Sequence, residues 1–415
     1  MPSSQSFNRK PAVSFSRINP GYKSYIVSFK HNTARRLLIA QVFNGEPSTS
    51  RTSLSSFDSY ECALLDSHGY AGGVVRGSRV KYNDPFDLSL RRRALLCWEK
   101  GSPSNILLVK KPKNSAASQQ MQLISEWLQA RGMIPLVEPL VHANEFPQFQ
   151  ALSSDNISSV DLCITLGGDG TVLHLASLFD IDEPLPPVMS FSMGTLGFLT
   201  PFDVKKFEPL LERVLAANQN PLYCTLRTRL RCEIRTKGKV QAVHSVLNEV
   251  VVDRGAYPGP AVLDVFVDKT YLTTVEADGL IIATPSGSTA YSMSAGGSLI
   301  APSVPCTILT PIAPLSLSFR PIVVPESSSI SVQLPDDAKC TTRISFDGRS
   351  ATRLPKGSSV VVEGTRNPLP MINSLPLDSD WYEGITQKLK WNLSLRRVPR
   401  PLGYPPHLSD SLEEC

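Results

Sequence analysis

The stretch Leu166-Gly167-Gly168-Asp169-Gly170-Thr171 constrains this chain more than any other. It follows Val160-Asp161-Leu162-Cys163-Ile164-Thr165, a short apolar run that reads as a buried strand. Val172 through Leu178 come next and read as the start of a helix. A strand, a glycine turn and a helix in that order form a phosphate cradle. Glycine lets the backbone approach an anion closely, and the helix N-terminus aims free N–H groups at it. Asp169 is the odd member, because a carboxylate repels a phosphate. Two chemical roles suit it: taking a proton from an attacking hydroxyl, or holding a metal ion. The alternative is a tight turn in which Asp169 caps the helix.

The 415 residues allow two or three domains, and 41% hydrophobic residues can bury a sizeable core. No apolar run approaches the ~18 residues of a membrane span, so no membrane partner is expected. The net charge is +5, and residues 1–45 hold seven Lys/Arg and no acid, leaving a net −2 over the remainder. That balance gives no sign of a nucleic-acid surface. The basic, Ser-rich and acid-free segment 1–45 has the composition of a mitochondrial transit peptide, with a basic tail broken by Pro2, Pro11 and Pro20 as the alternative. A matrix location is therefore expected, and the cytoplasm is the alternative. The eight cysteines form no CxxC pair and several lie in apolar runs, which suits reduced, buried thiols.

Pattern begins at Asn105. Ile106 to Val109 reads as a strand, Met121, Ile124, Leu128 and Arg131 recur at helical spacing, and Ile134 to Val137 and Val188 to Ser192 read as further strands. Strands alternating with helices predict a parallel α/β sheet over residues 105–222. In such sheets ligands sit beyond the carboxyl ends of the strands. The Asp169 loop and Gly194-Thr195-Leu196-Gly197-Phe198-Leu199 both fall there. From Tyr223 to about 372 short strands dominate, among them Val246 to Val252, Ala261 to Val267 and Leu280 to Ala283. A terminal helix is expected over Trp381 to Leu395 within the segment 373–398. Residues 46–104 form an N-terminal extension, and 399–415 a loose Pro-rich tail.

Three more stretches carry chemistry. Thr284-Pro285-Ser286-Gly287-Ser288-Thr289-Ala290-Tyr291-Ser292 offers small hydroxyls and open backbone, suited to polyphosphate or ribose, with Tyr291 as a stacking surface. Asn248-Glu249 interrupts an apolar strand, and a buried polar pair is costly without partners. A hydroxyl-bearing ligand or an internal hydrogen bond would supply them. Phe346-Asp347-Gly348-Arg349 reads as a hairpin turn. His174 lies just inside the helix after the Asp169 loop, where packing suits it better than phosphate contact.

Together these residues resemble the NAD kinase family, ATP-dependent enzymes that convert NAD to NADP. The matching segments are Gly167 to Thr171, Gly194 to Phe198, Asn248-Glu249, Asp278-Gly279 and Thr284 to Ser292. The resemblance covers roughly residues 105–395. It implies an α/β domain followed by an all-β domain, with a C-terminal helix returning to the first. It also implies Asp169 as catalytic base and Gly167, Gly168, Gly170 and Thr171 as phosphate contacts. Asn248 and Glu249 would then contact the NAD riboses and Asp278 the nicotinamide side. Thr289, Ala290, Tyr291 and Ser294 would line the dinucleotide pocket. ATP, a divalent ion (Mg²⁺ or Mn²⁺) held through the phosphates rather than by protein ligands, and a homo-oligomer are further implications. Arg349 stands where bacterial members often carry Gln, and Leu315 where His is common, so neither receives a role. Two rival readings share the Asp169 loop: a diacylglycerol- or sphingosine-type lipid kinase, and a nucleotide-binding sensor without catalysis.

Overall fold

The computed structural model describes residues 92–98, 101–220, 222–339, 341–375 and 378–392, together with the strands Val13–Arg17, Ser24–His31, Ala34–Gln41 and Gly73–Arg76. The chain divides into two units, residues 1–62 and 63–415. The first holds a three-stranded antiparallel sheet made by Val13–Arg17, Ser24–His31 and Ala34–Gln41. The remainder of segment 1–45 and the tail 399–415 lie outside the described residues.

The second unit is built on a ten-stranded sheet. Its order from one edge is Gly73–Arg76, Arg93–Cys97, Leu222–Arg227, Leu369–Ile372, Val188–Ser192, Leu162–Gly167, Asn105–Lys110, Ile134–Val137 and Gln150–Ala151, with Phe202–Asp203 pairing off Val188–Ser192. From Leu369–Ile372 to Gln150–Ala151 every ladder is parallel. Leu222–Arg227 is antiparallel to both neighbours, so the expected parallel sheet is mixed. The reason is long-range. The chain leaves for the β-rich part through Leu222–Arg227 and returns through Leu369–Ile372, and these two strands pair with each other inside the first sheet. The extension before residue 105 also contributes, through Gly73–Arg76 and Arg93–Cys97.

Alternation along the central strands sends side chains to both faces, and both faces are covered. Ile106, Leu108, Ile164 and Leu166 pack under Met121, Ile124 and Leu128 of the helix Ser115–Gln129. Asn114 caps that helix by accepting from the Ala117 N–H at 2.9 Å. The helix stops before Arg131, whose guanidinium lies over the Trp127 ring, and Gly132 turns the chain with a φ of 79°. On the other face Leu107, Val109, Cys163 and Val188 meet Val172, Leu175 and Ala176 of the helix Asp169–Ser177.

The β-rich part is two six-stranded antiparallel sheets packed face to face. Val250 and Val252 point into the shared core with Leu230 and Cys232, while Val251 points the other way, to Ile281, Ala283 and Ile308. The C-terminal helix spans Ser379–Lys388, shorter than expected. Lys390 and Asn392 adopt φ of 48° and 55°, which ends helical geometry before Leu395. Its Gly384 lies against Phe198, so it does return to the α/β layer.

Arg229 lies between the two layers with no exposed surface. It donates to the Phe179 and Asp180 carbonyls, just after the helix Asp169–Ser177, to the Asn367 carbonyl and to Ser245 Oγ. Burial lowers its pKa to about 10, opposed by Asp180, Asp182 and Asp347, so it stays charged at neutral pH. Arg229→Met should leave those carbonyls unpaired and cost roughly 2–4 kcal/mol. Urea unfolding measures this, and an unchanged midpoint would show that Arg229 does not hold the layers.

Candidate active site

The strand Leu162–Gly167 runs directly into the glycine turn, and the helix begins at Asp169 rather than after it. Gly167 is required by space, because a Cβ there would overlap the Thr171 hydroxyl. Asp169 does not cap its own helix. Its Oδ2 accepts from the Phe198 N–H and its Oδ1 from the Leu199 N–H, both at 3.0 Å. The two glycine segments expected to share a cleft are thus joined through this carboxylate. Gly197 is needed at the junction, since a Cβ would overlap the Asp169 carboxylate and Thr200 Oγ1.

Two cations missed in the sequence flank Asp169. Arg227, in the strand Leu222–Arg227, is buried, and burial lowers its pKa to about 10 while Asp378, Asp169 and Asp380 oppose the shift. Its guanidinium donates to Ser286 Oγ at 3.3 Å and to the Phe198 carbonyl. Lys388, on the C-terminal helix, places Nζ 4.5 Å from the Phe198 ring centroid. Burial lowers its pKa, opposed by Asp169, Asp380 and Glu383. Neither residue had a local sequence signal, because both reach the site only through tertiary packing.

Asn248 does not lie within one long strand. Lys239–Val246 and Glu249–Asp253 are separate, and the break falls at Leu247-Asn248. The cause is Asp347. Its Oδ2 accepts from the Leu247 N–H at 2.8 Å and its Oδ1 from the Asn248 and Glu249 N–H groups at 2.8 and 3.1 Å. The turn expected at 346–349 is present as an Asp347-Gly348 hairpin with φ of 47° and 68°, the two left-handed residues of a type I′ turn.

Asn248 Oδ1 and Glu249 Oε2 are buried without hydrogen-bond partners. Burial raises the Glu249 pKa to about 8, with Asp347 adding to the rise and the Tyr291 N–H opposing it. The Thr284 hydroxyl donates to the Leu247 carbonyl, and its N–H donates to the Asn248 carbonyl. Gly287 packs so closely that a Cβ would overlap that same carbonyl. The loop continues through a turn at Gly287–Thr289 into a short helix Tyr291–Ser294. Thr289 and Ala290 are half-buried, while Tyr291 and Ser294 are exposed, with 44% of Tyr291 open to a stacking partner. The Thr284 loop therefore packs directly on the Asn248–Glu249 segment, and its Ser286 meets Arg227, whose charge is felt by Asp169.

Asp278 is not brought next to Asn248 and Glu249. It sits at the opposite end of the strand Gly279–Ala283, about 17 Å from the Ala283 end by strand rise. There Arg254 Nε donates to its carboxylate at 2.7 Å. Against the Asp169 loop lies a cleft of about 840 Å³, lined by Lys111, Lys113, Gly168, Gly170, His174 and Arg349 among others. His174 is part of this wall rather than of the core. Its Nε2 is 2.6 Å from Glu138 Oε1, and its Nδ1 faces Arg349 Nη1 at 3.3 Å. Among the described residues no cluster of three or more His, Cys, Asp or Glu side chains is placed to hold a metal ion.

The raised Glu249 pKa has a defined consequence for stability. The folded state keeps this proton between about pH 4.5 and 8, where the unfolded chain has lost it. Glu249 therefore favours folding below about pH 4.5, and this contribution is lost as the pH rises through 8. Glu249→Gln removes the titration. The melting temperature of the variant relative to the parent should rise steadily from pH 5 to pH 9, and a constant difference would show that the acid titrates normally.

The ATP-NAD kinase N-terminal domain family matches residues 106–219, and the ATP-NAD kinase C-terminal domain family matches residues 247–374. NAD kinase 2, chloroplastic, of Arabidopsis thaliana is 40% identical over 72% of this chain, and the match covers 32% of that protein. The chain thus spans about a third of the length of this plant relative. NADH kinase pos5, mitochondrial, of Schizosaccharomyces pombe is 36% identical over 73% of this chain and 78% of its own length. The crystal structure of yeast NADH kinase complexed with NADH superposes with a TM-score of 0.69 at 31% identity, covering 79% of this chain and 97% of that one. With both family models matched in order and the Schizosaccharomyces pombe NADH kinase covered over 78% of its length at 36% identity, this chain belongs to the NAD kinase family.

Proposed function

We propose that the protein transfers the γ-phosphoryl group of ATP to the 2′-hydroxyl of the adenosine ribose of NAD or NADH, giving NADP(H). The observation that carries this reading is the Asp169 carboxylate, fixed by two backbone N–H groups between Gly168 and Gly170, which line the cleft. Two N–H donors orient the carboxylate and leave further lone pairs to accept the proton of an attacking hydroxyl. Arg227 and Lys388 offset its charge beside the phosphates. Gly168, Gly170 and the first turn of the helix Asp169–Ser177 receive the donor phosphates, while Thr171 packs its hydroxyl under Gly167. Asn248 Oδ1 and Glu249 Oε2 accept ribose hydroxyls, which supplies the partners they lack. Thr289, Ala290, Tyr291 and Ser294 line the same pocket, with Tyr291 as the stacking face.

The carboxylates of the phosphate cleft are engaged, Glu138 with His174 and Glu145 with Lys110. A divalent ion would be held here by the phosphate oxygens rather than by these carboxylates, and would supply positive charge to the transferring group. The buried acceptors at 248 and 249 suit a polyhydroxylated acceptor and offer nothing to an acyl chain, which disfavours the lipid-kinase reading. Asp278 keeps a role at the nicotinamide end only in an arrangement that carries it to the bound dinucleotide, such as a homo-oligomer. The basic, acid-free segment 1–45 supports import into the mitochondrial matrix, with the cytoplasm as the alternative.

Asp169→Asn tests the chemistry. Asn has one acceptor oxygen, so one of the bonds to Phe198 and Leu199 is lost and the melting temperature should fall slightly. Turnover to NADP should fall by about two orders of magnitude or more while NAD and ATP still bind. Near-parental turnover would remove Asp169 from the mechanism. For location, deletion of residues 1–45 should leave activity intact and shift a C-terminally tagged protein from mitochondria to cytosol, and a cytosolic full-length protein would reject the targeting role.

A further inference from the structure

Arg349 has no role in the reading above, yet it crosses from the β-rich layer to the phosphate turn. The type I′ turn at Asp347-Gly348 is locked by the three N–H groups that Asp347 accepts. Arg349 is the next residue and leaves this fixed point as an exposed side chain. Its Nη2 donates to the Gly170 carbonyl at 2.7 Å, and Nη1 donates to His174 Nδ1 at 3.3 Å. This geometry requires the His174 tautomer that carries its proton on Nε2, and Nε2 in turn donates to Glu138 at 2.6 Å. The guanidinium is therefore held by two contacts and keeps three of its five N–H donors.

Those donors face a cleft whose charge is not balanced. Lys110 is spent on Glu145 at 2.8 Å, and Glu138 is spent on His174. Among the described residues Lys111, Lys113 and Arg349 make no ion pair, and all three line the cleft with Gly168, Gly170 and Thr171. Three cations around a helix N-terminus suit a chain of phosphates, and a planar guanidinium can bind two phosphate oxygens at once. We propose that Arg349, steadied by His174 and the Gly170 carbonyl, grips the terminal phosphates of the donor. The β-rich layer thereby supplies part of the donor site as well as the acceptor pocket. This rests on the proposed kinase reaction for its kinetic readout and not for its binding readout.

The experiment compares the parent with Arg349→Gln and Arg349→Lys. Calorimetric titration with inorganic tripolyphosphate reads the cleft without any reaction. Its dissociation constant should rise about tenfold or more in Arg349→Gln and less in Arg349→Lys, which keeps the charge but loses the fork. In steady-state assays the KM for ATP should rise by a similar factor, with the KM for NAD within twofold of the parent. A tripolyphosphate affinity within twofold of the parent in both variants overturns the proposal. So does an equal loss toward ATP and NAD, which would mark Arg349 as purely structural. If Arg349→Gln does not fold, the Lys variant carries the same comparison. Absence of NADP formation by the parent would reject the kinase reading and leave the tripolyphosphate titration to decide on Arg349.

Discussion

The carboxylate of Asp347 is the interaction on which the two halves of the site depend. It accepts three consecutive backbone N–H groups, from Leu247, Asn248 and Glu249. Those N–H groups would otherwise belong to a strand ladder, and diverting them is what breaks the strand and turns two polar side chains inward. A half-buried carboxylate is tolerable because three donors replace much of its water. Burial still raises its pKa, against the pull of those donors and of Arg349. The same turn aims Arg349 at Gly170. One side chain therefore fixes the Leu247–Glu249 backbone and the bridge from Arg349 to Gly170 together.

Asp169 plays the matching part in the α/β layer. A carboxylate near phosphates is unfavourable, and the fold offsets this in two ways. Backbone N–H groups of Phe198 and Leu199 hold it in one orientation. Arg227 and Lys388 then surround it with positive charge from elements far apart in sequence. The cost lies in burying those cations, which lowers both pKa values. The C-terminal helix thus matters to the site through its last residue, Lys388, as well as through packing on Phe198.

Much of this was legible in the sequence, for a physical reason. Gly167, Gly197 and Gly287 each sit where a Cβ would overlap a neighbour, so local sequence carries the signature of close backbone approach. The central strands and the helix Ser115–Gln129 follow from apolar periodicity, and Asn248-Glu249 stood out as polar residues in an apolar run. The unread features are long-range. Nothing local says that Leu222–Arg227 pairs with Leu369–Ile372, about 145 residues away, and so makes the sheet mixed. Arg227, Lys388, His174 and Glu138 have ordinary neighbours in sequence and acquire their roles only by packing. The expected strand Val246 to Val252 failed for the same reason, since its interruption is dictated by residue 347. Asp278 shows the converse, a residue singled out in sequence that the fold of one chain keeps with Arg254, away from the pocket.

The distribution of charge then gives the site its direction. On the cleft side the unpaired groups are cations, Lys111, Lys113 and Arg349. On the pocket side they are neutral or acidic acceptors, Asn248 Oδ1 and Glu249 Oε2. Polyphosphate is drawn to the first, while the buried acceptors of the second suit a hydroxylated ribose. The carboxylate that would take a proton lies between them and is itself enclosed by cations. In the proposed reaction the phosphate donor and the hydroxyl acceptor would thereby be sorted by electrostatics before any close fit is made, with Asp169 as their meeting point.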